Sequence, residues 1–335
     1  MGDKVLDPHP SFIGERIRDL FFFKSRLGFL AGESVIMSEL DNPYNFWRTT
    51  TTQVLATDRI DISSSVNEIT RFNFAVPFSN QLLIFSDRTQ FLVNYGTQGL
   101  TPMSASVDLI GRYDCSDRAR PVVNNSSIVF AQSLSRTSSV YEMYPTGTTA
   151  LSFEAKEISE QLSGYISGDI INIDASSLAG AVVIQTDVGD NSLYVYKYYD
   201  KGRDRVVSSW SRYELAVDQI KGVVFVGDVL KLVTQTGNNG TGAEDPTHNA
   251  APYMTQMRFD NTDPLTHAAD FYYTILDSAV SYDASDGYTK ITLPFFMRGR
   301  GYTALLPLTV FNQLGVVQTP HSATTGMADN KVAIA

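Results

Sequence analysis

Residues 82–93 read LLIFSDRTQFLV. Two apolar runs flank a short polar break holding Asp87 and Arg88, the pattern of a tight β-hairpin with about four residues a side. The same pattern returns as LGFLAGESVIMS at 27–38, SIVFAQSLSRTSSVYEMY at 127–144, AVVIQTDVGDNSLYVYKYY at 181–199 and VVFVGDVLKLVT at 223–234. The repeats fall roughly 40 to 55 residues apart, with further strand candidates between them. These are RFNFAVPF at 71–78, SVDLIGRY at 106–113, DIINIDAS at 169–176 and RVVSSWSRYEL at 205–215. About four short strands per period is the pattern of a β-propeller blade, in which each small sheet covers the face of the next. The expected fold is therefore all-β: a propeller of short antiparallel hairpin blades. A two-sheet sandwich is the competing architecture.

Composition supports that reading. The chain has 335 residues, 43% apolar and 19% charged, with 17 Tyr and 19 Phe. Aromatic and β-branched residues suit a pleated, half-buried surface. The net charge of −10 is a poor basis for tight nucleic-acid binding, because phosphate contacts need Lys and Arg. The single cysteine, Cys115, excludes an intrachain disulfide and reads as a plain buried or loop thiol. The opening MGDKVLDPHPSFIG lacks a basic run followed by an apolar stretch, so no signal peptide is expected. LFFF at 20–23 is interrupted by Lys24 and Arg26, and no segment approaches the roughly 20 apolar residues of a membrane span.

Helix is expected in one place, about two turns within EAKEISEQLSGYI at 154–166, where Ile158 and Leu162 share a face and Gly164 ends the run. A short turn capped by Ser11 is expected to open SFIGERIRDLFFF. TGNNGTGAEDPTHNAAP at 236–252 reads as a loop. Beyond about residue 265 the strands lengthen, with a DG turn at 286–287. A domain change is placed near 262, separating a propeller region, 1–262, from a β-rich C-terminal region, 263–335.

The residues that could carry chemistry read better as structure. His9, His248, His267 and His321 show no metal-ligand spacing. TDVGDN at 186–191 and SYDASDG at 281–287 offer oxygen donors for calcium, but read first as turns at Gly189-Asp190 and Asp286-Gly287. GNNGTG at 237–242 lacks the lysine and helix start of a phosphate loop. RGRGY at 298–302 is a basic turn. Paired carboxylates for sugar hydrolysis are one option, since Asp58 and Asp61 sit close together in ATDRIDISS, but nothing marks either as an acid. No catalytic, cofactor-binding or metal-binding residue is assigned, and no cofactor is expected.

The stretch PSFIGERIRDLFFFKSRLGFLAGESVIMSE at 10–39 is more specific. It resembles the nozzle protein, or tail tubular protein B, family of short-tailed bacteriophages. The likeness continues through NFWRTT at 45–50, TDRIDISSS at 57–65, AVPFSNQLLIFSDRTQFLV at 75–93, DRARPV at 117–122 and SSWSRYEL at 208–215, and spans residues 2–295 in order. The resemblance implies a structural virion protein: a homo-oligomer, a hexameric ring below the adaptor ring of tail tubular protein A. It implies attachment of tail fibres and non-specific passage of double-stranded DNA through the channel, in a tail assembled in the host cytoplasm. Family members are longer, so the expectation is that a platform-forming part lies N-terminal to this sequence, or else that the chain is a minimal nozzle or one product of a split gene; the C-terminal end reads as short or divergent at the nozzle tip. No residue is assigned to the channel lining. Phe21, Phe22, Phe23, Leu27 and Phe29 are expected in the core, Gly28 and Gly32 beside a tight hairpin, and Arg118 and Arg120 at a strand entry with an ion pair. A glycan-degrading propeller enzyme and a cellular propeller used as an interaction platform are the competing functional readings.

Overall fold

The structure is a computed structural model that describes residues 8–50, 52–64, 70–96, 99–146, 152–162, 164–201, 204–215, 217, 219–235 and 252–259. Nearer the C-terminus it describes 273–275, 279–283, 288–292, 310–311, 317–318, 320–322 and 331–334. The described chain is almost entirely antiparallel sheet, with one 3-10 turn at Glu160–Leu162. It divides into two compact units, 1–175 with 186–188, and 176–185 with 189–335.

In the first unit three four-stranded sheets follow one another along the chain. Sheet one is β1 (Ile17–Phe23), β2 (Arg26–Ala31), β3 (Ser34–Met37) and β4 (Ile60–Ser63). Sheet two is β5 (Phe72–Phe78), β6 (Gln81–Ser86), β7 (Gln90–Asn94) and β8 (Ser106–Gly111). Sheet three is β9 (Val122–Asn124), β10 (Ser127–Leu134), β11 (Thr137–Pro145) and β12 (Phe153–Glu157). In each, every strand pairs with its neighbour in sequence, as in a propeller blade.

Packing between these sheets explains the opening stretch. Successive side chains of a strand point to opposite faces. Leu82, Ile84, Phe91 and Val93 enter a core shared with Phe21, Leu30, Val35 and Ile60 of sheet one. Leu83, Phe85 and Leu92 enter a second core shared with Ile128, Phe130 and Met143 of sheet three. The runs are continuously apolar because sheet two is covered on both faces. The break is a three-residue loop closed by Ser86, whose Oγ lies 2.8 Å from the Thr89 carbonyl oxygen and 2.6 Å from Thr89 Oγ1.

Several local expectations change. Phe21 and Phe23 are buried, but Phe22 alternates outward and is 62% exposed. Leu27 and Phe29 are half-buried against Ala31, Ile36 and Phe46 on the outer face of sheet one. Gly32 occupies the β2–β3 turn at φ +58°, as expected. Gly28 lies inside β2, directly opposite Phe21, whose ring covers it. A Cβ there would stand 2.2 Å from the Phe21 ring. Gly28→Ala is therefore expected to cost about 1–3 kcal/mol by displacing that ring from the core, read as a lower urea midpoint. The two-turn helix is replaced by β12, which pairs with β11, followed by the single 3-10 turn. Phe153 buries into the second core, and the amide of Ile158 donates to Val140, so sheet pairing overrides the helix preference of the Glu and Lys residues. The expected short turn forms at 11–14, where the Ile13 amide donates to Pro10 and the Glu15 amide to Phe12, while the Ser11 amide donates to Asp61 at 2.9 Å.

Strands β13 (Ile170–Ser176), β14 (Ala181–Thr186), β15 (Ser192–Lys201) and β16 (Asp204–Glu214) form the fourth sheet in that order, and the division between units falls within it. The second unit continues with β17 (Gln219–Val226), β18 (Val229–Gln235), β19 (Tyr253–Arg258) and β20 (Tyr273–Ile275). Its core joins Val183, Leu193 and Val195 to Ile220, Leu230, Leu232 and Met257. A last sheet pairs β21 (Ala279–Asp283) with β22 (Tyr288–Thr292). A two-stranded pair, β23 (Val310–Phe311) and β24 (Val317–Gln318), precedes β25 (Pro320–Ser322) and β26 (Lys331–Ile334), and β26 lies between β22 and β25. The expected domain change near 262, the Asp286-Gly287 turn, GNNGTG and RGRGY lie outside the described residues, as do His248 and His267.

Candidate functional site

The carboxylates singled out in the sequence are committed to the backbone. Asp58 is fully buried and accepts the amides of Thr49 at 3.0 Å and Leu55 at 2.8 Å. Asp61 accepts the Ser11 amide. Both tie loops onto sheet one. His9 meets Trp47 edge to face at 5.2 Å. Cys115 is buried, and burial pushes its thiol well above the ordinary range, with Asp87 and Asp117 adding to the effect. A thiol held protonated is a poor nucleophile. In TDVGDN, Gly189 has φ +89° and its carbonyl accepts the Ser192 amide at 3.0 Å, so the segment is a hairpin turn. Asp187 there turns to Arg118. Among the described residues no group of three or more His, Cys, Asp or Glu is placed to hold a metal, and no helix is long and apolar enough to cross a membrane.

The arginines do the joining. Arg118 Nη1 lies 2.5 Å from Asp187 and 3.1 Å from Asp169. Arg120 reaches Asp19 at 2.5 Å and the Ala75 carbonyl at 2.8 Å, linking the entry of sheet three to β1 and β5. Asp19 also accepts the Ala75 amide at 2.8 Å. The ion pairs expected of DRARPV are thus long-range staples. Arg26 is a partner the sequence did not reveal. It is fully buried and donates to the carbonyls of Ser38 at 2.6 Å, Asp58 at 2.7 Å and Ala56 at 3.0 Å. Burial lowers its pKa, and Glu39, Asp58 and Asp41 oppose that shift.

The Arg118 hydrogen bond holds the Asp187 carboxyl below its ordinary value. A carboxylate with a depressed folded pKa stabilises above its unfolded pKa, and that stability is lost as pH falls through the folded value. Arg118→Ala is expected to cost about 1 kcal/mol or less at neutral pH, because the pair is partly exposed. The difference from wild type should shrink in acid below the ordinary aspartate range, as read by urea unfolding at each pH.

Two surface features remain. A depression of about 610 Å³ in the first unit is lined by Asp87, Arg88, Asp114, Cys115, Ser116, Asp117 and Ser133. In the second unit, the β15–β16 hairpin exposes Tyr199, Val206 and Val207. The depression gathers three carboxylates, Asp87, Asp114 and Asp117, beside Arg88. The described residues form a scaffold tied by long-range polar contacts.

Comparison with known proteins agrees with that character. The family model described as bacteriophage nozzle protein matches residues 1–334. Tail tubular protein gp12 of Escherichia phage T7 is 29% identical over 302 residues, covering 87% of this chain and 38% of that protein. The chain thus spans well under half the length of that relative. Among solved structures, Hsv2p of Kluyveromyces lactis is 9% identical with a TM-score of 0.43, over 83% of this chain and 77% of that one. The Pan2 WD40 domain of Neurospora crassa is 10% identical with a TM-score of 0.39, over 97% and 90%. Likenesses that loose carry no argument; the blade pattern rests on the strand pairing itself. On the family match across its length, this chain belongs to the bacteriophage nozzle protein family.

Proposed function

We propose that this chain is a structural part of the nozzle of a short phage tail. The carrying observation is the family match over residues 1–334, with a tail tubular protein as relative. In this reading the chain assembles as a hexameric ring in the virion tail, below the adaptor ring, holds tail fibres and lets double-stranded DNA pass. Residues 1–262 form the propeller body and 263–335 the tip region. The physical character of the chain supports this. Sheet two is covered on both faces, and Arg118 and Arg120 tie segments far apart in sequence. A net charge of −10 disfavours phosphate anchoring, and a conduit for a polyanion must not grip it. A strongly basic channel surface in the assembled ring would contradict this part of the reading.

The test is location. A peptide tag inserted beside Met103, which is 72% exposed, should leave the fold intact and label the tail of purified virions with gold-coupled antibody. Label on the capsid shell, or none on virions that retain the tagged chain by immunoblot of unfolded protein, would contradict the proposal.

A further inference from the structure

Strands β17 and β18 carry the runs VVFV at 223–226 and VLKLV at 229–233. Near-continuous apolar runs of this kind belong to strands covered on both faces, and sheet two shows that arrangement. The sheet of β17, β18, β19 and β20 is covered on one. Val223, Leu230, Leu232 and Met257 enter the core shared with the fourth sheet. The opposite face holds Val224, Val226, Val233 and Met254, which are 50%, 54%, 37% and 50% exposed. They form one patch: Val226 pairs with Val229, and Val233 pairs with both Gly222 and Met254. Lys231 stands opposite Val224 within it, and a lysine can lay its apolar stem along a sheet while its ammonium reaches water.

The last sheet has the matching face. The register of β21, β22 and β26 sets Val280, Ile291 and Val332 side by side, with Tyr282 and Ile334 at positions on the same face. The charged positions of these three strands, Asp283, Lys290 and Lys331, all fall on the other face. Chain continuity brings the two sheets together. Ile275 ends β20, the outer strand of its sheet, and Ala279 begins β21. A join of that length reaches at most ~14 Å, and stacked sheets lie about 10 Å apart. So short a tether keeps the last sheet at high effective concentration beside the bare face. The fourth sheet already occupies the opposite one. Both partners belong to the second compact unit.

We propose that the patch of Val224, Val226, Val233 and Met254 is the docking surface for the last sheet, which seats its Val280, Ile291 and Val332 face there. The contact covers the second face of β17 and β18, as their sequence requires, and turns the charged face of the last sheet to water. It also anchors the C-terminal region. Residues 293–330, between β22 and β26, carry the β23–β24 pair, and both ends of that insertion return to the docked sheet. The insertion is thus held to the propeller body at its base. Its role as part of the tip rests on the nozzle reading; the contact itself does not.

Two measurements on the full chain test it. The photoreactive residue p-benzoylphenylalanine in place of Met254 should cross-link within one chain to peptides of 279–292 or 331–334, read by mass spectrometry of the product with the mass of a single chain. Val224→Asp should speed amide exchange across 279–283 and 288–292 by about tenfold or more, with β6 and β10 unchanged. Ser281→Asp, on the charged face of the last sheet, should leave that exchange as in wild type. If Val224→Asp also frees the amides of Leu230–Leu232, its own sheet has opened and the cross-link decides. Cross-links to other segments, or none, would overturn the docking, as would unchanged exchange in a folded Val224→Asp. Cross-links found only between chains would give the patch to a second copy and overturn it too. None of these outcomes touches tail location, which the gold label settles. Label on the capsid shell would remove the tip role and leave the contact as measured.

Discussion

Arg26→Ala is expected to lower the unfolding free energy by about 3 kcal/mol or more, because it strips charged hydrogen bonds from buried carbonyls. Arg26 is wholly excluded from solvent at the start of β2. Its guanidinium gathers the carbonyls of Ser38, Ala56 and Asp58, and so fastens the segment after β3 to the edge of sheet one. Planar geometry matters here: a guanidinium presents a fixed fork of donors, and an ammonium does not. Arg26→Lys should therefore rescue only part of the loss. Its Nε has no partner among the described residues, so the hydrogen bonds of the site come from Nη1 and Nη2. Urea unfolding gives the energy, and hydrogen exchange across 38–59 gives the location. A loss under about 1 kcal/mol for Arg26→Ala would mean water replaces the guanidinium without strain.

The second large effect is expected at Phe130. Its ring is fully buried between sheets two and three. It stacks on Tyr141 at 5.5 Å and lies tilted against Phe85 at 5.6 Å. Phe130→Ala removes the transfer energy of the ring and leaves a cavity lined by side chains from two sheets, a loss of about 3–5 kcal/mol. Phe22→Ala is the internal control. That ring is 62% exposed, so its removal should change the urea midpoint little. Equal losses at the two positions would mean that Phe22 is covered in the folded protein in solution, and that the assigned faces of β1 are wrong.

The contrast between Phe130 and Phe22 shows what could be read from the residues. In the first four sheets the hairpin visible in the sequence is the middle pair: β2–β3, β6–β7, β10–β11 and β14–β15. Of these, β3, β6, β7 and β14 are nearly buried throughout, so their apolar runs are continuous, while β10, β11 and β15 become exposed toward their C-terminal ends. In the fifth sheet the visible hairpin is the first pair, β17–β18, whose residues alternate in exposure. Outer strands were harder. EAKEISEQLSGYI reads as helix because Ile158 and Leu162 fall on one helical face, and only pairing with β11 makes its opening residues a strand. FFF reads as uniform core, but its alternation exposes the middle ring. Gly28 reads as a turn residue, and only the register with Phe21 shows it to be a seat for a ring.

The same limit applies to the polar residues. Arg26, set between apolar runs, reads only as an interruption of LFFF. Its burial depends on carbonyls delivered from 12 to 32 positions away. Asp58 and Asp61 read as a possible acid pair because proximity in sequence says nothing of what each accepts. Arg118 and Arg120 read as residues with an ion pair, and their partners lie 51, 69 and 101 positions distant. Long-range polar contacts leave no local period, and so no local trace.

The central claim is that this chain builds a ring in a tail conduit. The most direct measurement is electron microscopy of the purified chain with native mass on the same sample. The account predicts a sixfold ring with an open axial hole and a mass of six chains. A single compact particle with the mass of one 37.0 kDa chain at every concentration would contradict it.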